Sequence, residues 1–103
     1  MRRNAGKDIT TVSPEASKVR LENDRVKVTE LHFKPGYKTP MHDHPDFVMY
    51  SMTDSRLKFT YPDGKEEIAN FYSGEVTFFK AVTHAAENIG TIETHDLIIE
   101  LKQ

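Results

Sequence analysis

Short runs of β-branched and aromatic residues, each closed by turn formers, recur along the chain, and no stretch keeps the apolar period of a helix. After a polar lead-in to Lys18, Val19-Arg20-Leu21 predicts a first strand and Glu22-Asn23-Asp24 a turn, because Asn and Asp side chains bond their own backbone there. Val26 to Phe33 predicts a longer strand ended by Pro35-Gly36. Phe47 to Met52 and Leu57 to Tyr61 follow, separated by Thr53-Asp54-Ser55. Pro62-Asp63-Gly64 is the clearest hairpin signal, since glycine accepts the positive φ that closes a tight turn. Glu66 to Tyr72, Val76 to Phe79, Val82 to Ile89 and Leu97 to Leu101 complete the set, the last with Leu97, Ile99 and Leu101 alternating. That makes about eight closely spaced strands and no helix to cover a sheet, so the economical burial is sheet on sheet or a closed barrel. The fold class expected is all-β in a single domain, with residues 1–18 as a lead-in and 19–103 as the barrel.

Composition narrows the setting. A chain of 103 residues has room for one hydrophobic core. With 29% charged and 37% hydrophobic residues it is neither a disordered nor a membrane composition. Lys plus Arg number 14 against 16 Asp plus Glu, a net charge of −2, which builds no basic face for nucleic acid. The basic cluster Arg2, Arg3 and Lys7 reads as a solvated tail. No apolar run follows it, so no secretion signal is expected, and none reaches the roughly 20 residues of a membrane helix. The absence of cysteine removes disulfides, thiolate zinc sites and a thiol nucleophile. A soluble cytoplasmic protein with no nucleic-acid or membrane partner is the expectation.

The chemistry lies in the histidines. His42 and His44 stand two apart in an extended segment after Pro40, so their side chains leave one face of the backbone. His84 offers a third imidazole from a distant strand, in His84-Ala85-Ala86-Glu87-Asn88. Neutral imidazole suits Fe, Zn, Ni, Cu and Mn. His32 and His95 have no such context and read as surface or internally satisfied residues, and Glu87, Glu93 and Glu100 as solvent-facing.

Gly36 stands six before His42, giving Gly-x5-His-x-His, and Gly74 opens the strand leading to His84, where His84 and Asn88 give His-x3-Asn. These segments resemble the two motifs of the cupin superfamily over about residues 19–101. The resemblance implies a double-stranded β-helix (a jelly-roll barrel) holding one divalent transition metal per chain on His42, His44 and His84. The chain departs from the family pattern in several places. The glutamate ligand of the first motif should fall at Val48, or at Phe47 or Met49, none of which ligates such an ion. Ser55 replaces that motif's closing glycine, and Lys80 and Val82 stand where Pro and Gly are usual. The site expected is three histidines without an acid. Among cupins this resembles β-diketone-cleaving (acetylacetone) dioxygenase and the thiol dioxygenases, which implies Fe(II) first, with Zn, Ni or Mn as alternatives. A crosslinked Cys–Tyr cofactor is excluded by the lack of cysteine.

Neutral ligands leave the ion its full charge and open positions, an arrangement that favours a small bidentate anion such as a β-diketone enolate. A lyase, isomerase or hydrolase on another metal, and a non-catalytic ligand-binding or sensory module, are the alternative uses. Strand parity with the histidines places Val48 toward the metal and makes Asp46 a conceivable fourth ligand. Met41, Val48, Tyr50, Met52, Leu57, Phe59 and Phe78 are candidates for an apolar pocket, and Asn88 for a loop holder. Tyr50 and Tyr61 are candidate hydroxyl donors to substrate. A lone barrel of this size covers exposed sheet by pairing, so a homodimer is expected.

Overall fold

A computed structural model describes residues 7–102 of the chain; Arg2 and Arg3 of the expected basic tail lie outside the described residues. Two sheets carry the fold. The first orders its strands β1 (Ser17–Glu22), β2 (Val26–Phe33), β9 (Thr94–Leu101), β4 (Phe47–Ser51) and β7 (Val76–Phe79). The second orders β3 (His42–His44), β8 (Val82–Asn88), β5 (Ser55–Thr60) and β6 (Glu66–Phe71). Every pairing is antiparallel. The core is the filling between them, with Leu31, Phe33, Phe47, Leu57, Phe59 and Ile98 all buried. Among the described residues no helix is long and apolar enough to cross a membrane.

The turns fall where the sequence places them. At Pro62-Asp63-Gly64, Gly64 has φ +88°, its N–H donates to the Tyr61 carbonyl at 2.9 Å, and Asp63 Oδ1 accepts the Lys65 N–H. The strands begin earlier than expected at three places, β1 at Ser17, β5 at Ser55 and β9 at Thr94. The segment ahead of β1 is also part of the core. A single helical turn, α1 (Ile9–Val12), is capped by Asp8, whose carboxylate accepts the Thr10 N–H, and Ile9 is 2% exposed within the apolar cluster. Burying one such side chain contributes about 1.5–3 kcal/mol, enough to fasten the segment.

Burial sets the side-chain directions of β9 and β4, and the expectation for Val48 is corrected. In β9 the buried residues are Thr94, Asp96, Ile98 and Glu100, and the alternating Leu97, Ile99 and Leu101 face outward, half-buried. In β4 the buried residues are Phe47, Met49 and Ser51, so Val48 and Tyr50 lie on the outer face. Val48 does not point toward the histidines. The reason is that β3 belongs to one sheet and β4 to the other, and the Pro45-Asp46 link between them carries no strand parity across.

Candidate metal centre

β3 pairs with β8 so that His42 lies directly opposite His84, and His44 follows on the same face of β3. The loop before β3 is fastened to β8. The Thr39 N–H donates to the Ala86 carbonyl at 2.8 Å, and the Ala86 N–H returns to Thr39 Oγ1 at 2.9 Å. Across the same pair Thr83 Oγ1 donates to Asp43 Oδ1 at 2.6 Å. These bonds set the register that brings the imidazoles together.

The three rings are buried, at 0%, 3% and 4% exposure for His42, His44 and His84. Their centroids lie 4.7, 5.0 and 5.2 Å apart with interplanar angles of 90°, 79° and 77°. One ring nitrogen from each lies within 4.8 Å of the others, a separation from which imidazoles can close on a single ion. Two of the rings are held from behind. With its proton on Nδ1, His42 donates to the Pro40 carbonyl at 2.8 Å, which leaves Nε2 buried with no hydrogen-bond partner. His44 Nδ1 meets Glu100 Oε2 at 2.6 Å. His84 stacks on Phe59, with centroids 4.9 Å apart and 17° between planes. A buried nitrogen lone pair left unmatched costs about 1–3 kcal/mol, and a cation among the three rings is the partner that removes the cost. The donor set therefore fits a divalent transition ion.

Electrostatics agree with that fit. Burial, and after it the neighbouring His44, pushes His42 down to about 4. Burial, then His44 and His42, pushes His84 down to about 3. Both rings are thus neutral near pH 7, as ligands must be. Asp96, 1% exposed on the wall of the same interior, is pushed up to about 6 by burial, and its Oδ1 has no partner.

Other candidates fall outside the cluster. Asp46 is not a fourth ligand: its Oδ1 accepts the Ala81 N–H at 2.8 Å and braces the crossing between sheets. Asn88 holds its loop, donating to the carbonyls of Phe33 and Ile92 and accepting the Gly90 N–H. Phe59 and Leu57 line the cavity beside the histidines, together with Phe47, Met49 and Phe79 from the other sheet. Met41, Val48, Met52 and Tyr50 do not line it, and Phe78, 56% exposed, borders only the wider groove beside His84. Tyr61 sits 6.3 Å from the His84 ring, but its hydroxyl donates to Glu67 at 2.7 Å. Glu100, expected to face solvent, is instead 3% exposed and supports His44. Such an outer carboxylate orients a metal-binding imidazole and raises its basicity.

The cavity enclosed by the histidines is about 30 Å³, little more than a water needs. A wider groove of about 390 Å³ opens beside it, sharing His84, Phe59 and Phe79 and bordered by Tyr61, Glu67 and Lys80.

Known proteins place the fold. No protein-family model matches the chain. A cupin domain from Bordetella pertussis Tohama I matches with a TM-score of 0.78 and 32% identity, over 84% of this chain and 92% of that one. An RmlC-like cupin family protein from Methanocaldococcus jannaschii, with a double-stranded β-helix fold, gives a TM-score of 0.67 at 12% identity, over 84% and 78% of the two chains. The β-alanine degradation protein BauB of Pseudomonas aeruginosa is 35% identical over 86 residues, 82% of this chain and 90% of that protein.

The shifted groups fix how stability depends on pH. A histidine whose pKa is depressed by folding takes up its proton first in the unfolded chain, so its stabilising effect fades as pH falls below 6.5 toward about 4 for His42 and about 3 for His84. Asp96 acts with the opposite sign: its raised pKa means the native state takes up a proton more readily between 6 and 3.8, so its cost is present above that window. A tenfold change in proton affinity is worth about 1.4 kcal/mol, and two histidines outweigh one aspartate. Metal-free protein is predicted to lose stability steadily from pH 6.5 to 4 in thermal melts. Asp96→Asn is predicted to raise the Tm at pH 8 and to give no gain at pH 4. A Tm at pH 8 that Asp96→Asn leaves unchanged or lowers would contradict the assignment of an unpaired buried acid.

Proposed function

The chain belongs to the cupin superfamily, and on that premise we propose that His42, His44 and His84 hold one divalent transition metal and that the protein acts there on a small bidentate anion, as an Fe(II)-dependent dioxygenase of 1,3-dicarbonyl compounds. The observation that carries the reading is the donor set: three buried, converging imidazoles, His42 Nε2 without a partner, and no carboxylate in the cluster. When bound, the ion would supply two positive charges that no directly ligating carboxylate offsets, which favours the enolate of a chelating substrate, and iron would add the capacity to engage O2.

The chain's own residues supply the rest. Glu100 and the Pro40 carbonyl hold the His44 and His42 rings in the orientation that frees Nε2. Phe47, Phe59 and Phe79 exclude water from the interior. Lys80, at the groove that meets His84, gives an anionic substrate a positive charge on its way in. The name of the Pseudomonas relative, a β-alanine degradation protein, also supports a small acid with functional groups in a 1,3 relation. The dioxygenase reaction inserts both atoms of O2 across one carbon–carbon bond and so needs no external reductant. The narrowness of the 30 Å³ cavity favours a second reading, in which the site binds a small ligand without turning it over.

Oxygen uptake separates the two. Fe(II)-loaded protein given acetylacetone or a 3-oxo acid is predicted to consume one O2 per substrate cleaved, with Zn-loaded protein inactive and His44→Ala reduced by at least about 100-fold. Oxygen-independent turnover, or tight binding without turnover, contradicts the dioxygenase reading.

The protein works as a homodimer through the outer face of the five-stranded sheet. Leu21, Val28, Ile99, Val48 and Phe78 are cross-strand neighbours in one apolar row spanning all five strands. Leu21 is 49% and Phe78 56% exposed, a cost that an identical row on a second copy removes. Sedimentation is predicted to give a dimer for the wild type and a monomer for Phe78→Glu. A monomeric wild type at micromolar concentration contradicts the pairing.

A further inference from the structure

A second group of metal-ligating side chains lies on the opposite side of the five-stranded sheet from the triad. Along β2, Thr29, Leu31 and Phe33 are buried, and Glu30 and His32 point outward. His95 on β9 is the direct cross-strand partner of His32, and their rings stack with centroids 4.0 Å apart. Both imidazoles bond one carboxylate oxygen: Glu30 Oε2 accepts from His32 Nε2 at 3.1 Å and also from His95 Nε2. The other oxygen, Oε1, accepts from Arg20 Nε at 2.7 Å. His32 Nδ1 lies 3.6 Å from a Glu93 carboxylate oxygen.

We propose that Glu30, His32 and His95 form a second, outward-facing site for a divalent transition cation, at the edge of the apolar row, with zinc the best fit. Two imidazoles and one carboxylate are a borderline donor set of the kind that binds zinc with an open position for water. One donor atom from each residue lies within 4.8 Å of the others. The backbone under them is fixed, because the β2–β9 ladder is continuous from Val26↔Leu101 to Phe33↔Thr94. Only side-chain rotation is then needed to reach bond lengths of about 2.0–2.2 Å.

The surrounding groups favour the exchange. While both rings share Glu30 Oε2 they carry their protons on Nε2; a cation takes the place of those two contacts and needs the protons on Nδ1. Glu93 stands beside His32 Nδ1 to receive that N–H, as an outer carboxylate does for a metal-bound imidazole. Arg20 meanwhile keeps the carboxylate turned by its other oxygen. Arg20 bonds Glu30 and Lys18 is its cross-strand partner on β1, while Glu93 adds a second carboxylate on the far side of His32, so the acids and bases around the cluster are balanced before a cation enters. On the same outer face, Glu30 stands two residues and His32 four residues along β2 from Val28, so the site borders the apolar row, and it does not depend on the triad.

Zinc titration of the full chain by calorimetry at pH 7.5 tests it. The wild type is predicted to bind one zinc ion at the outer cluster in addition to any held inside. His32→Ala and His95→Ala are each predicted to weaken that one class of site by at least about tenfold, and Glu30→Gln, which keeps the shape, to do the same. His84→Ala leaves it intact, so zinc still raises the Tm of His84→Ala protein and does not raise that of His84→Ala/His95→Ala. This signal appears even if the triad takes no metal, which keeps the two readings apart. A zinc isotherm that none of the three outer substitutions changes overturns the proposal.

Discussion

The centre of the molecule depends on three imidazoles being taken out of water side by side. Desolvating a ring that can carry charge is tolerable only if the ring stays neutral and its nitrogens find partners. Two Nδ1 atoms find them, one in the Pro40 carbonyl and one in Glu100. His42 Nε2 does not. Much of the surrounding architecture can be read as the means of holding this arrangement: the β3–β8 register, the Thr39–Ala86 clasp and the aromatic side chains packed around the rings. The low proton affinity of His42 and His84 and the fit of the cluster to a cation have one cause, since the same burial that disfavours a proton leaves the lone pairs available.

A two-sheet barrel supplies what such a cluster needs. His42 and His44 come from one short strand, His84 from its neighbour in the same sheet, and Glu100 from the opposing sheet. The group behind His42 is the Pro40 carbonyl of the loop leading into β3, and the group behind His44 is Glu100 from the opposing sheet. Ile9 and Phe47, Phe59 and Phe79 close the interior, which keeps the dielectric low where the rings meet.

The strands, the turn at Pro62-Asp63-Gly64 and the common face of His42 and His44 were legible in the sequence because each rests on local chemistry, whereas the meeting of these two with His84, 40 residues on, was legible only through the resemblance of the two segments to the cupin motifs. Val48 and Glu100 were not legible, and for related reasons. Alternation carries side-chain direction only along an unbroken strand, and the chain changes sheet at Pro45-Asp46, so parity from His44 says nothing about Val48. In β9 the usual assignment of Leu97, Ile99 and Leu101 to the inside fails because this sheet is apolar on both faces and its interior carries Asp96 and Glu100. A glutamate whose partner stands 56 residues away leaves no local trace. Ile9 was hidden by the polar residues around it, and its place in the core follows from a helical turn too short to show a period.

The measurement that bears most directly on this account is metal analysis joined to X-ray absorption on His95→Ala protein, in which the outer cluster cannot contribute. After purification without chelators and loading with Fe(II) or Zn, the account predicts one ion per chain, three imidazole nitrogens at about 2.0–2.1 Å, and loss of the ion when His42→Ala is added. Protein that takes up no divalent ion under any loading, or an ion whose absorption spectrum shows no imidazole scattering, would contradict it.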